Sequence, residues 1–175
     1  IGIFVFAILL RLVYAGLAEL IPDEAYYWQY SQHMDLGYYD HPPMVAVVIR
    51  LGTLIAGDTE FGVRLVSILL ALPMSWAIYQ AAAMLFGSRR VAASSAILLN
   101  ITLMAAVGTM IVTPDAPLLV ASSLLLFALA KVLQTGRGAW WLVVGVAAGC
   151  ALLSKYTALF FGPAILIWLI VVPKL

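Results

Sequence analysis

Long apolar runs alternate with short polar connections along this chain of 175 residues. Most runs approach the roughly 20 residues that a helix needs to cross about 30 Å of hydrocarbon. We expect Pro73 to kink the second run, a defect that membrane helices tolerate. The pattern predicts an all-α, multi-spanning membrane protein without internal repeats or linkers. The predicted spans lie near 1–18, 65–86, 91–112, 116–134, 139–153 and 156–172.

The first connection, residues 19–64, is long and unusually polar. Its stretch "IPDEAYYWQYSQHMDLGYYDHPP" at 21–43 concentrates acidic, histidine, tyrosine and tryptophan side chains. The following apolar segment, 43–57, would rise only about 21 Å as a helix, which is too short to cross. We predict an amphipathic helix there, lying in the interface with Arg50 toward the headgroups. The aromatic residues within 24–34 favour an interface and predict a second such helix.

Composition supports the membrane assignment. Hydrophobic residues make up 65% of the chain and charged residues only 10%, against about a quarter charged in soluble proteins. The net charge of +1 argues against a nucleic-acid partner. The single cysteine, Cys150, excludes a disulfide within the chain. The chain lacks an initiating Met and begins within an apolar run, so we expect it to be part of a longer protein.

The basic residues predict the orientation, because cytoplasmic connections carry an excess of Lys and Arg. They follow the second span, lie between the fourth and fifth, and end the sixth, all on one side: Arg89, Arg90, Lys131, Arg137 and Lys174. Residues 19–64, 112–117 and the turn at 154–155 are then external. All eight acids fall on that external side: Glu19, Asp23, Glu24, Asp35, Asp40, Asp58, Glu60 and Asp115.

The acidic pair that opens the external connection is a candidate catalytic site. A carboxylate beside another acid and apolar groups has a raised proton affinity, which suits a general base. Asp23 and Glu24 point about 100° apart on a helix, so one faces the site and the other a structural partner. Arg50, Arg64 and Lys155 lie on the same side, where they can hold a phosphate.

Several structural alternatives explain the same residues. Asp23 and Asp115 each precede or open a predicted helix, and aspartate is a preferred N-cap. Glu60 and Arg64, four residues apart, form a pair across one helix face. An aromatic belt at the interface explains the tyrosines and tryptophans without a substrate. We predict no cofactor, and with only two histidines a divalent metal stays a minor alternative.

Three segments resemble a known family: "PDEAYYWQYSQHMDLGYYDHPPMVAVVIRL", "TPDAPLL" and "GVAAGCALLSKYTALFFGPAILIWLI". They are similar to the amino-terminal part of bacterial membrane glycosyltransferases of the dolichyl-phosphate-mannose protein mannosyltransferase type. That superfamily, with the C-type glycosyltransferase fold, includes the aminoarabinose transferases that modify lipid A. The resemblance covers nearly the whole chain and is strongest over 22–43. It implies that residues 1–175 form the N-terminal part of one transmembrane catalytic domain.

The resemblance implies a function as well. Such enzymes transfer a sugar from a polyprenyl-phosphate donor, with inversion at the anomeric carbon, to an acceptor outside the bacterial cytoplasmic membrane. The acceptor is a lipid, a glycan or a protein, and membrane lipids are the other expected partners. Asp23 matches the family's proposed catalytic base, and Glu24 its neighbour. Asp115 matches a second acid at an external helix start, which supports the acceptor or the donor headgroup.

The resemblance places residues 38–43 near the donor phosphate, which makes Tyr39, Asp40 and His41 candidate substrate-binding residues. Relatives often carry a Lys close to this turn, whereas the nearest cation here is Arg50. Arg64 and Lys155 are the other candidates for holding the phosphate. Cleaving the bond between sugar and phosphate develops opposite charges, so the site needs both carboxylate and cation.

A transporter and a non-catalytic scaffold are the competing interpretations. Transporters usually place ionisable residues within their spans, facing a pathway at the midplane. In this chain the polar residues within spans are Arg11 and Asn100, and no acid lies there. This distribution argues against coupling to protons or sodium. A scaffold retaining the fold without activity stays an alternative.

Overall fold

A computed structural model describes residues 2–171, in which every regular element is helical. Lys174, used above to predict the orientation, and the end of the sixth predicted span lie outside the described residues. The helices are α1 (Gly2–Leu17), α2 (Pro22–Gln32), α3 (Met44–Ala56), α4 (Glu60–Leu69), α5 (Ala71–Phe86), α6 (Arg89–Ile101), α7 (Leu103–Gly108), α8 (Asp115–Thr135), α9 (Trp140–Ser154) and α10 (Phe161–Val171). A short 3-10 helix, Tyr156–Phe160, joins the last two.

Two helical segments within residues 2–171 are long and apolar enough to cross a membrane. They are Glu60–Phe86, which combines α4 and α5 over 27 residues, and α8 with 21 residues. A third arises if α1 and α2 count as one span, although they meet at 82°. The other apolar helices, α3, α9 and Tyr156–Val171, are shorter. The long predicted runs are therefore helical, but several fall short of a full crossing.

The second and third predicted spans differ from the structure in their boundaries. The second begins at Glu60 instead of 65, and its helix is interrupted at Leu70, close to Pro73, whose ring removes a backbone hydrogen bond. The third is split at Thr102, which is extended (φ −61°, ψ 143°). The Thr102 hydroxyl accepts from the Ala105 N–H at 3.3 Å. The Thr102 side chain thus caps α7 at the point where α6 ends.

The core forms where the α4–α5 span runs parallel to α8. Small and apolar residues line this contact: Ile68, Ala71 and Met74 with Val120, and Ala77 and Ala81 with Phe127 and Ala130. Small side chains let membrane helices approach closely. The parallel register puts the ends of α5 and α8 together. The connections that carry Arg89 and Arg137 therefore share one end of the bundle, opposite Asp115.

The two helices predicted within the first connection are present as α2 and α3, and they lie at the end of the bundle that carries Asp115; their position in a membrane interface stays a prediction. Helix α3 turns back onto α4 through a close backbone approach. A Cβ atom at Gly52 would lie 2.2 Å from the carbonyl oxygen of Gly62, and Gly57 between them has φ +80°. Only glycine fits a close approach and that dihedral without strain. The hairpin holds the polar connection against the bundle end.

Candidate active site at the acidic end of the bundle

A buried ion pair lies under this end of the molecule. Arg64 of α4 and Glu24 of α2 both have side chains with 0% exposure. The Nε of Arg64 donates to Oε1 of Glu24 at 2.8 Å, and Nη2 donates to Oε2 at 2.5 Å. The remaining N–H groups donate to the carbonyl oxygens of Ala15, Ala18 and Glu19 at 3.3, 2.6 and 2.8 Å. Every donor of the guanidinium is therefore used.

The carboxylate of Glu24 is equally occupied. It accepts from the backbone N–H of Ile21 at 3.2 Å and from that of Val112 at 3.0 Å. The pair thus joins the end of α1, the start of α2, α4 and the segment that precedes α8. A buried charge is tolerated only when it is paired and hydrogen-bonded, and both charges here meet that condition.

Of the two adjacent acids, Glu24 is the one that faces a structural partner. Its carboxylate is bonded to Arg64 and to two backbone N–H groups, which leaves it unavailable as a catalytic group. Arg64 has no donor left for a phosphate, so the structure removes it from the phosphate-binding candidates. The proposed pairing of Glu60 with Arg64 is wrong, because Arg64 bonds Glu24 instead.

Asp23 has the opposite environment. Its side chain is exposed at the second position of α2. The N-cap of α2 is Ile21, and the residue that binds the Ile21 N–H is Glu24. The interpretation of Asp23 as a helix cap is therefore wrong. Its carboxylate is available for chemistry, as required of a general base.

Three tyrosines of α2 hold the turn that contains Asp40 and His41. The Tyr30 and Tyr26 hydroxyls both donate to Oδ1 of Asp40, at 2.5 and 3.3 Å. The Tyr27 hydroxyl lies 2.8 Å from Nε2 of His41, and the two rings stack with centroids 5.3 Å apart. Nδ1 of His41 lies 2.5 Å from the Asp40 carbonyl oxygen. The turn is thus anchored through both of its polar residues.

The charges of acids from three segments act on the Tyr27 hydroxyl. Burial raises the pKa of Tyr27 to about 12, and the charges of Asp23, Asp40 and Asp115 add to the effect. The Tyr30 hydrogen bond lowers the pKa of Asp40, which stays ionised near neutral pH. Carboxylates from α2, from the turn and from the start of α8 thus all contribute to the raised pKa of Tyr27.

Asp115 and Lys155 form a second ion pair at this end. Nζ of Lys155 donates to Oδ1 of Asp115 at 2.7 Å, and the side chains are 36% and 25% exposed. Pro114, not Asp115, is the N-cap of α8, and no side chain caps it. The interpretation of Asp115 as an N-cap is therefore wrong. Among the described residues the ammonium donates only to Asp115, so it keeps N–H donors for a ligand.

An apolar crevice of about 260 Å³ lies between α3, the last part of α4 and the facing sides of α8 and α9. Two of its lining residues, Pro117 and Ser154, are close in sequence to Asp115 and Lys155. Its lining includes Met44, Leu51, Val66, Pro117, Leu124 and Ser154. An apolar crevice close to a charged pair suits a ligand with a polar head and a hydrocarbon tail.

Two other predicted site residues lie on the surface. Arg50 is exposed on α3, and Tyr39 is fully exposed in the loop before the turn. The sequence predicts the tyrosines of α2 as interface aromatics and does not predict their bonds to the turn. The four-residue spacing of Tyr26 and Tyr30 puts both on one helix face, which is the pattern in the sequence that indicates a shared partner. Within residues 2–171 no three His, Cys, Asp or Glu side chains are grouped to hold a metal ion.

Two glycosyltransferases are similar to this chain in sequence. The chain is 32% identical over 156 residues to the lipid A galacturonosyltransferase RgtD of Rhizobium johnstonii, covering 89% of this chain and 33% of that protein. It is 33% identical over 168 residues to undecaprenyl phosphate-alpha-4-amino-4-deoxy-L-arabinose arabinosyl transferase 1 of Pseudomonas fluorescens, covering 87% and 29%. The chain therefore spans about a third of the length of these relatives.

The fold has a counterpart among solved structures. The crystal structure of ArnT from Cupriavidus metallidurans in the apo state matches with a TM-score of 0.76 and 23% sequence identity, over 97% of this chain and 35% of that one. This likeness confirms the predicted all-α, multi-spanning fold. The model of one family, dolichyl-phosphate-mannose-protein mannosyltransferase, matches residues 40–175. Because that match covers well over half of the chain, the protein belongs to the dolichyl-phosphate-mannose-protein mannosyltransferase family.

Proposed function

We propose that the protein is an integral-membrane glycosyltransferase of the bacterial cytoplasmic membrane. It moves a sugar from a polyprenyl-phosphate donor to an acceptor on the external face. One relative is named for an undecaprenyl-phosphate-linked aminoarabinose and the other for lipid A. These names favour a polyprenyl-phosphate donor and a lipid A type of acceptor for this protein.

One observation carries the proposal: three carboxylates and an ammonium group lie at one end of the bundle, near an apolar crevice. The charges of Asp23, Asp40 and Asp115 all contribute to the raised pKa of Tyr27, and Lys155 bonds Asp115. The crevice would take part of a hydrocarbon tail. A donor anchored by its tail would present its phosphate and sugar to these charged groups.

The chemistry assigned to these residues is a single displacement. Asp23 accepts the proton of the acceptor hydroxyl, whose oxygen forms a bond to the anomeric carbon. The bond from that carbon to the phosphate oxygen breaks, and the polyprenyl phosphate leaves with the electron pair. Lys155 stabilises the charge on the departing phosphate, and Asp115 orients the ammonium. Groups placed where charge develops lower the barrier, and one displacement inverts the anomeric carbon.

The transporter alternative lacks a supporting observation. Among the buried polar residues, Arg11 of α1 and Asn100 of α6 bond each other: Nη2 of Arg11 donates to the Asn100 carbonyl oxygen at 3.4 Å. That carbonyl lies next to the helix break at Thr102, where Arg11 serves as a cationic cap. The acids lie at the bundle end, away from a midplane pathway.

The test of the proposal is Asp23→Asn in the full-length protein. We expect a loss of about 10²–10⁴-fold in sugar transfer, the range of general-base catalysis, with the melting temperature unchanged. The measurement is mass spectrometry of lipid A after incubation with an undecaprenyl-phosphate sugar. Glu60→Gln, at an exposed acid of the same end, is the matched control. Normal turnover by Asp23→Asn would remove the base assignment.

A further inference from the structure

A groove of about 370 Å³ lies along the side of the bundle, between α5, α6 and the start of α1. Trp76 and Ile97 in its lining are half-exposed, so the groove opens to the side, where lipid surrounds a membrane protein. The Ser75 hydroxyl in its wall already donates to the Ala71 carbonyl oxygen at 2.6 Å and accepts from Nδ2 of Asn100 at 2.7 Å. The wall therefore offers little to a polar ligand and suits a hydrocarbon chain.

The groove lies near the end of the bundle that carries Arg89 and Arg137, the basic end. Helix α5 runs toward this end and α6 runs away from it. At about 1.5 Å per residue, the lining residue Tyr79 lies about 10 Å before the end of α5, and Ala93 lies about 6 Å after the start of α6. Arg89, Ala93 and Ile97 follow one another at four-residue spacing, which puts them on one face of α6. Arg89 therefore lies on the helix face that lines the groove, one turn closer to the basic end.

Aromatic residues at the level of the groove indicate a membrane–water boundary there. The Trp76 ring packs against Phe127 with centroids 4.9 Å apart, and Phe127 meets Trp140 edge-on at 5.7 Å. Trp140 is the first residue of α9, at the basic end. Nζ of Lys131 lies 5.8 Å from the ring centroids of both Phe127 and Trp140. Tryptophan and lysine anchors are typical of the lipid headgroup region, so a lipid in the groove would have its headgroup at the basic end.

The basic end carries positive charge without carboxylates. Arg89 and Arg90 are exposed, and the ion pairs found within residues 2–171 involve neither of them. Every Asp and Glu of the chain falls within 19–60 or at Asp115, toward the opposite end. A guanidinium group binds phosphate through two parallel hydrogen bonds, and basic residues beside a membrane span attract anionic lipids. The two arginines are therefore complementary in charge to an anionic headgroup.

We propose that this groove, together with Arg89 and Arg90, binds an anionic phospholipid of the leaflet at the basic end. One acyl chain lies in the groove between α5 and α6, and the phosphate accepts hydrogen bonds from the guanidinium groups. The site is at the end of the bundle opposite Asp23, Asp115 and Lys155. It is therefore separate from the proposed site of sugar transfer and does not depend on that function.

The experiment measures the lipid affinity of the full-length protein in detergent by native mass spectrometry. The anionic probe is phosphatidylglycerol, and the control is phosphatidylcholine with the same acyl chains; we expect the wild type to bind the anionic lipid more tightly. Arg89→Gln should weaken phosphatidylglycerol binding about fivefold, and Arg89→Gln combined with Arg90→Gln about 30-fold. Arg137→Gln, at an exposed arginine of the other connection at the same end, is the matched control and should bind as the wild type does.

A second pair of variants tests the groove separately from the charges. Ala93→Phe places a ring in the groove, whereas Ser94→Phe places the same ring at a neighbouring exposed position outside the lining. We expect Ala93→Phe to weaken phosphatidylglycerol binding several-fold and Ser94→Phe to leave it unchanged. Melting temperatures identify any variant that fails to fold, and the arginine substitutions then decide the question.

Three results would overturn the inference. The first is equal affinity of the wild type for the two lipids, and the second is wild-type affinity in the double arginine variant. The third is wild-type affinity in Ala93→Phe, which is also the result expected if another segment of the full-length protein fills the groove. Sugar transfer is not the measured quantity, so failure of the proposed function leaves this inference to be decided by lipid binding alone.

Discussion

Two ion pairs at the same end of the bundle differ in nearly every physical respect. Glu24–Arg64 and Asp115–Lys155 each join residues 40 positions apart in sequence. The first pair is fully buried, and both partners have used their hydrogen-bonding capacity on the protein. The second pair is about one-quarter to one-third exposed and makes a single bond between its partners.

The difference teaches that burial, and not the presence of opposite charges, decides whether an ion pair here has donors left for a substrate. A buried pair must satisfy every donor and acceptor within the fold, which leaves nothing for a substrate. A partly exposed pair keeps its remaining donors accessible to solvent or ligand. Asp23 and Glu24 repeat this contrast between adjacent residues, because one is exposed and the other has 0% exposure.

Breaking the buried pair should have the largest effect on stability. Glu24→Gln leaves the Arg64 guanidinium buried without a counter-charge, and removal of one partner costs about 3–5 kcal/mol. We expect a large fall in the melting temperature and in the yield of monodisperse protein, measured by fluorescence-detected size-exclusion chromatography. Glu60→Gln, an exposed acid, should leave both unchanged. Wild-type stability of Glu24→Gln would show that the pair is not a structural joint.

Breaking the partly exposed pair should act on substrate binding instead. Lys155→Gln removes the ammonium that we propose binds the donor phosphate, and we expect the donor KM to rise about tenfold through loss of a charge-assisted hydrogen bond. Partly exposed ion pairs contribute only about 0–1 kcal/mol to stability, so the melting temperature should change little. A strongly destabilised Lys155→Gln with normal KM would assign this pair to the same structural class as Glu24–Arg64.

A smaller effect is expected at the turn between the two pairs. Tyr30 lowers the pKa of Asp40 by donating a hydrogen bond to it. A lowered folded-state pKa contributes stability above the unfolded pKa, and this contribution is lost as the pH falls through the folded value. Tyr30→Phe should therefore melt slightly below wild type at neutral pH, with the difference closing below about pH 3.9. Melting curves across this range measure the difference, and a gap independent of pH would exclude this linkage.

Several features of the fold were predictable because they depend on local sequence. The helices α2 and α3 follow from an aromatic segment and from an apolar segment too short to cross. The opposite placement of Arg89 and Asp115 follows from the charge distribution along the chain. Other boundaries were missed, because the break at Thr102 depends on a single hydroxyl that caps α7 within a run of continuous hydrophobicity.

The candidate site was predictable as a set of residues but not as a set of roles. Asp23, Asp40, His41, Asp115 and Lys155 were all identified from the sequence and its resemblance to the family. The same reasoning included Arg64 and Glu24, and it assigned Tyr27 to the interface. Residue type and spacing do not reveal whether a charge is exposed, so structural and site residues looked alike.

By itself the sequence determined the membrane class of the protein, the separation of acidic from basic connections and the family motifs. These are properties of composition and of short segments. Only the tertiary structure decided that Glu24 is a structural joint, that Asp115 is not a helix cap and that Tyr27 meets His41. The contacts responsible join residues far apart in the chain, such as Glu24 and Val112, 88 positions apart. Burial of a charge follows from all the elements packed around it, and no local pattern encodes that.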